Sequence, residues 1–277
     1  MTSMSRRHAL AGSLLAIPAL AGTMAVAHAQ DTQAAQAKLA ALERKHPGRI
    51  CVSILNVATG KRVDHRANEP ILMCSTFKAL AAAFVLSRVD KNEEKLDRRI
   101  TFSQKDLMSY SPGTQPNVGG RGMTVAELCD AAVTLSDNTA ANLLLASFGG
   151  PAGLTSFFRG LGDQVSRLDR IEPELNSHDG PGDVRDTTTA AAMLENLRKL
   201  LLTDILSPRS RSQLTAWLIA NKTGTSGDKD GNAHDIAVVW PPDRAPVIVT
   251  AYCEIPGISA DQRNAAIAEI GRIASQI

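Results

Sequence analysis

Between residues 31 and 46, Ala35, Leu39 and Leu42 recur at helical spacing, and His46-Pro47-Gly48 then ends the run. The period changes at once. RICVSILNV (49–57) and KRVDHRA (61–67) are rich in β-branched residues and are joined by Ala58-Thr59-Gly60, which predicts a hairpin. From about 75 to 221 the pattern is mostly helical. DIAVVW (235–240) and PVIVTAYCEI (246–255) return to strand and predict a second hairpin across Pro241-Pro242-Asp243-Arg244. A last helix begins at Ser259, with Gln262 completing a capping box and Ile267, Ile270 and Ile273 facing inward.

Strands at both ends of a chain must meet in one antiparallel sheet or leave bare edges. The expected fold is therefore α+β, an α–β sandwich. Its sheet comes from both chain ends (30–70 and 222–277) and is covered by the terminal helices. A central all-helical lobe (71–221) completes it, with the site in the cleft between the lobes.

The first 29 residues stand outside that fold. Arg6-Arg7, an apolar stretch and Ala27-His28-Ala29 read as a cleaved export signal, which predicts a periplasmic or secreted protein. A membrane anchor is the competing reading, but Gly and Pro interrupt the run. The Arg pair also fits a twin-arginine signal, so the export route stays open. Removing the two Arg leaves the Lys and Arg equal in number to the 28 Asp and Glu. A neutral chain with 4% aromatic residues has no electrostatic footprint for nucleic acid or anionic lipid. No nucleic-acid partner and no stable membrane association is expected, and the mature chain reads as a monomer. Cys51, Cys74, Cys129 and Cys253 form no CxxC pair and have no His cluster, so no metal and no cofactor is expected.

Chemistry enters with CSTFKALAAAFVLSRV. Ser75 and Lys78 share one helix face, and a buried Lys one turn away can take the proton that makes a Ser hydroxyl nucleophilic. The bland alternative is a helix cap beside a solvated Lys. In TLSDNTAANLLL, Ser136-Asp137-Asn138 interrupts two helical runs and can turn polar groups into a cleft, or it is an ordinary corner. RIEPELN places Glu172 before Pro173, within a Gly-, Asp- and Pro-rich loop from about 162 to 186. Asp169, Arg170, Arg185 and Asp186 are placed to pin that loop by ion pairing.

Ser75-x-x-Lys78, Ser136-Asp137-Asn138, Glu172-Pro-Glu-Leu-Asn176 and Lys222-Thr-Gly224 occur in the order and spacing of a class A serine β-lactamase. The resemblance spans the whole mature chain and includes YSP at 110–112 and DTTT at 186–189. It implies hydrolysis of the β-lactam amide bond, and so antibiotic resistance, through acylation of Ser75. The Ser75 and Thr225 amides would form the oxyanion hole. Lys78 and Glu172 would share the base work, with Asn176 helping Glu172 to hold a water. Ser136 would relay a proton, and Lys222 and Thr223 would bind the substrate carboxylate. Asn138 would bind the substrate side-chain amide, while Tyr110 would line the entrance.

The chain departs from that family at one place. SPRSRSQLTAWLIAN reads as a helix whose inner face carries Leu214, Trp217 and Leu218, and Lys222-Thr-Gly follows directly. About twenty residues that resembling proteins carry before this motif are missing, so Asn221–Ser226 must leave a helix and enter the sheet within a few residues. The alternatives are an active enzyme, an impaired deletion variant that at most binds β-lactams stoichiometrically, and a D-alanyl-D-alanine peptidase. Glu172 argues against the last. Ser226 and Ala82 stand where the resemblance would put partners for Cys74 and Cys129, so neither family disulfide is expected. A Cys51–Cys253 bridge across the sheet stays open.

Overall fold

A computed structural model describes residues 31–180, 182–218, 222–226, 230–240 and 244–277. The segment expected to be an export signal (1–29), Asn221 and the expected turn at Pro241-Pro242-Asp243 lie outside the described residues.

Helix α1 (31–43) leads into strands β1 (Arg49–Asn56) and β2 (Arg62–His65). The short strand β3 (Ile71–Leu72), helix α2 (Phe77–Asp90) and strands β4 (Arg99–Ile100) and β5 (Met123–Thr124) follow. Next come helices α3 (Val125–Thr134), α4 (Asn138–Ser147) and α5 (Gly150–Gly160), strand β6 (Thr187–Thr188), and helices α6 (Ala190–Leu202) and α7 (Pro208–Trp217). The chain closes with β7 (Lys222–Thr225), β8 (Asn232–Val239), β9 (Val247–Glu254) and α8 (Ala260–Ala274). The main sheet is antiparallel with the order β2-β1-β9-β8-β7, so the two ends of the chain meet at β1 and β9.

Alternation along the central strands builds two cores. Ile50, Val52 and Ile54 of β1 and Val249, Ala251 and Cys253 of β9 pack against Ala35, Leu39 and Leu42 of α1 and Ile270 and Ile273 of α8. Cys51, Ile248, Tyr252 and Ile236 turn the other way, into the core of the helical lobe. In α8, burying Ile270 and Ile273 contributes about 2 kcal/mol each, against about 1 kcal/mol for the observed Ser259–Gln262 capping box. The apolar face thus decides where the helix lies, and the cap decides where it begins. Ile267 is only half-buried, unlike its two neighbours on that face.

The same alternation disposes of the Cys51–Cys253 bridge. In the β1–β9 register Ile50 lies opposite Cys253 and Cys51 opposite Tyr252, so the two thiols point to opposite faces of the sheet. All four cysteines are free and buried.

The helical lobe is not purely helical. Two ribbons, β3–β6 and β4–β5, stitch its loops together, and α6 packs against β1 and β9, with Thr250 Oγ1 donating to the Ala190 carbonyl over 2.7 Å. Helix α2 is buried on almost every side, which carries its first turn to the floor of the cleft. Among the described residues no helix is long and apolar enough to cross a membrane.

Candidate active site

Ser75 lies on a 3₁₀ turn, Cys74–Thr76, that runs straight into α2, and Cys74 just before it has φ +43°. Neither that turn nor α2 has a side-chain N-cap bond, so Ser75 does not serve as a cap. Its Oγ instead donates to Glu172 Oε1 over 3.3 Å. The turn is braced from behind: Thr76 Oγ1 donates to the Met73 carbonyl over 2.7 Å and lies 3.1 Å from the Tyr252 hydroxyl.

Lys78 follows one turn later and is fully buried. Its Nζ sits 2.9 Å from Glu172 Oε1 and donates to the Ser136 carbonyl (2.9 Å) and to Asn138 Oδ1 (2.6 Å). Burial pulls the Lys78 pKa below the ordinary lysine value, and the Glu172 carboxylate partly opposes that. Proton exchange between Ser75, Lys78 and Glu172 therefore needs no rearrangement of the heavy atoms.

Glu172 is brought there by the 162–186 loop. The Glu172–Pro173 bond is cis. The Asn142 amide grips the Glu172 backbone from both sides, its Nδ2 donating to the Glu172 carbonyl and its Oδ1 accepting from the Glu172 N–H, each at 3.0 Å. Asn176 Nδ2 donates to Glu172 Oε2 over 2.5 Å. The loop is pinned by Arg170 Nε on Asp186 Oδ2 (2.6 Å), while Asp186 Oδ1 accepts the Asp169 and Arg170 amides. The expected pairing is thus right for Arg170 and Asp186 only. Arg185 pairs with Asp179 and Asp183, and Asp169 pairs with Arg167.

At the α3–α4 corner two of the three polar residues face the cleft. Ser136 holds φ +56°, and Asn138 takes the Lys78 ammonium. Asp137 turns inward instead: it caps α4 through the Ala140 amide and accepts the Gly113 and Thr114 amides and the Thr114 hydroxyl. The Asn138 backbone N–H donates to the Tyr110 carbonyl over 2.9 Å, which ties exposed Tyr110 to the rim.

The opposite wall is β7. Lys222 is buried, and its Nζ donates to Ser136 Oγ (3.0 Å) and the Thr223 carbonyl (2.7 Å). Burial, with the nearby Lys78 charge adding to it, pushes its pKa down to about 7. Gly224 passes so close to the nucleophile's turn that a Cβ there would lie 3.1 Å from the Met73 carbonyl oxygen and 3.2 Å from the Ser75 nitrogen. Ser226 donates its N–H to the Asn232 carbonyl, which by alternation puts Lys222–Ile236, Gly224–His234 and this pair on the rungs bonded to β8. The Thr225 N–H, one residue out of phase, faces away from β8 toward the cleft.

Ser75, Tyr110, Ser136, Asn138, Glu172, Asn176, Thr223 and Thr225 line one cavity of about 260 Å³. Lys78, Lys222 and Gly224 lie directly beneath it. The structure thus brings these eight residues together with Lys78, Lys222 and Gly224, whereas Asp137 lies outside the group. Asn142 was missed, and it carries no sequence signal beyond an Asn in a helix. The break before the motif is also visible: α7 ends at Trp217 and Lys222 already opens β7.

Residues 34–277 match the model of the β-lactamase enzyme family, and the chain belongs to that family. It is a class A serine β-lactamase. It is 43% identical to β-lactamase L2 of Stenotrophomonas maltophilia over 291 residues, covering 97% of this chain and 95% of that one. With β-lactamase Toho-1 of Escherichia coli it shares 39% identity over 290 residues, covering 99% and 98%. An ancestral class A β-lactamase of known structure superposes with a TM-score of 0.84 at 54% identity, covering 87% of this chain and 99% of that one. Both sequence alignments run over more positions than the 277 residues of this chain, so each relative carries residues with no counterpart here.

Proposed function

We propose that this chain hydrolyses β-lactams through an acyl-Ser75 intermediate and so protects the cell that makes it. The observation that carries the reading is the convergence of Ser75 Oγ and Lys78 Nζ on one oxygen of a fully buried Glu172. Ser75 Oγ attacks the lactam carbonyl as its proton passes to the Lys78–Glu172 pair. The oxyanion takes the Ser75 and Thr225 amide hydrogens. As the C–N bond breaks, Ser136 gives its proton to the leaving nitrogen and regains one from the lysines beside it. A water between Glu172 and Asn176 then attacks the ester and loses its proton to Glu172; as the acyl C–O bond breaks, Glu172 passes that proton to the departing Ser75 Oγ, which releases the ring-opened acid and restores free Ser75 and the Glu172 carboxylate. Lys222, with the Thr223 hydroxyl, meets the substrate carboxylate. Asn138 meets its side-chain amide, and Tyr110 flanks the entrance.

A second reading rests on one observation, the direct passage from α7 to a four-residue β7. It makes the chain a binder that acylates without turning over. A peptidase is disfavoured by Glu172, which supplies the deacylating base. Residues 1–29 act in this proposal as the export signal, and the mature monomer begins at Gln30.

Purified mature chain is mixed with a chromogenic cephalosporin, turnover is followed optically, and the protein is weighed by mass spectrometry. Sustained turnover that vanishes in Ser75→Ala is the expected result. A lasting adduct without turnover selects the binder, and a folded sample with neither overturns both readings.

A further inference from the structure

Strand β7 is four residues long and lies at the edge of the sheet, so among the described residues β8 is the only strand paired with it. Two of its bonded rungs fall at Gly224–His234 and Ser226–Asn232, on either side of the outward-facing Thr225 amide. The second rung is reinforced. The Asn232 N–H donates to the Ser226 hydroxyl over 3.2 Å, and the Asn232 Nδ2 donates to the same Oγ over 3.0 Å. Asn232 is 1% exposed, and its Oδ1 has no hydrogen-bond partner.

Asn232 is itself anchored where β8 begins, against the end of β9. Its Cα pairs with Glu254 of β9, and the Gly231 carbonyl before it accepts the Ile255 N–H over 3.0 Å. Gly231 holds φ +63°, and a Cβ there would lie 2.4 Å from the Ile255 carbonyl oxygen, so the chain enters Asn232 along one fixed path. A buried amide with an unpaired oxygen lowers stability relative to an apolar side chain of similar size. The contact it keeps is to the residue immediately after Thr225.

We propose that Asn232 is a positioning residue for the oxyanion site. By gripping the Ser226 hydroxyl from the fixed end of β8 and β9, it sets the height of the Thr225 N–H above Ser75. It touches no substrate. The inference rests on the acyl-serine reading for its kinetic consequence, but the grip itself is a property of the resting protein.

The test uses the mature chain and a chromogenic cephalosporin. Asn232→Ala lowers kcat roughly ten- to hundredfold, part of what losing an oxyanion donor outright costs, with KM little changed and Tm equal or raised. Asn232→Asp, which keeps the shape and loses the donor, falls by a similar factor. Ser226→Ala also lowers kcat, and the double variant Asn232→Ala with Ser226→Ala is no slower than Ser226→Ala alone, since losing the hydroxyl already removes the side-chain contact that Asn232→Ala removes. An unchanged kcat, a loss that follows a falling Tm, or additive losses would each overturn the assignment. Amide hydrogen exchange at Thr225 and Ser226, measured without substrate, must also speed up in Asn232→Ala. If the parent protein shows no turnover, the hydrolytic reading fails, and this exchange result alone decides the positioning role.

Discussion

On the helical wall of the cleft, Glu172 is gripped by Asn142 along its backbone and by Lys78, Ser75 and Asn176 at its carboxylate. On the facing wall, Lys222–Thr225 pairs on one side only and follows a helix that has just ended. Both walls carry motif residues at hydrogen-bond distance from each other, joined at Ser136, which meets Lys78 through its carbonyl and Lys222 through its hydroxyl. What differs is redundancy. Removing one contact on the helical wall leaves others to hold the geometry, so damage there is chemical. Removing one on the strand wall moves a backbone, so damage there is positional.

The largest expected effect breaks the helical wall's chemistry without touching its shape. Glu172→Gln keeps the size of the side chain and removes the base, so deacylation slows by roughly a thousandfold, within the span of general-base effects. Mass spectrometry of the reacting sample should then find a persistent adduct on Ser75. Rapid clearance of that adduct would move the base elsewhere.

A smaller effect is expected from the strand wall. Gly224→Ala puts a methyl 3.1–3.2 Å from the Met73 oxygen and the Ser75 nitrogen, so β7 must back away by a few tenths of an ångström. A loss of about tenfold in kcat follows from that displacement. Full activity in this variant would mean that β7 has slack, and the contrast between the walls would lose its basis.

The smallest effect is a pH dependence. Lys222 has its pKa pushed from 10.5 to about 7, with Lys78, Glu172 and Asp235 as the charges that bear on it. As pH rises through 7 the ammonium loses its proton, and KM for a carboxylate-bearing substrate should rise a few-fold by about pH 9. Lys222→Arg keeps its charge throughout and should flatten the profile. Stability moves the other way. Between about pH 7 and 10.5 the unfolded chain binds this proton and the folded chain does not, so the group's contribution to stability increases with pH across that window. A KM that stays flat in the parent protein would show that Lys222 keeps its proton.

The motif residues were legible in the sequence because their types are chemically restrictive: few sites need Ser-x-x-Lys, Ser-Asp-Asn, a Glu before Pro and Lys-Thr-Gly in one order. The sheet from both chain ends was legible too, since strand-rich ends have nowhere else to pair. The asparagines that hold the site were not. Asn142 looks like any helix asparagine until Glu172, 30 residues on, arrives, and Asn232 like any turn asparagine until the chain folds back onto Ser226. Asp137 shows the converse, since it belongs to a motif yet turns away from the cleft to brace the 113–114 segment. The Cys51–Cys253 bridge stayed open in the sequence for a geometric reason. One residue of register decides which face a thiol occupies, and composition carries no information about register.

Those four thiols carry a further consequence. Each is sealed from solvent, and burial pushes Cys51 up to about 12, so at neutral pH almost none of it exists as the reactive thiolate. The native state therefore asks nothing of an oxidant and offers little to one. Maturation is uncoupled from the thiol-oxidising machinery of whatever compartment receives the chain, and reducing agents have no bond to cut. A protein built this way can finish folding in a reducing medium as readily as in an oxidising one.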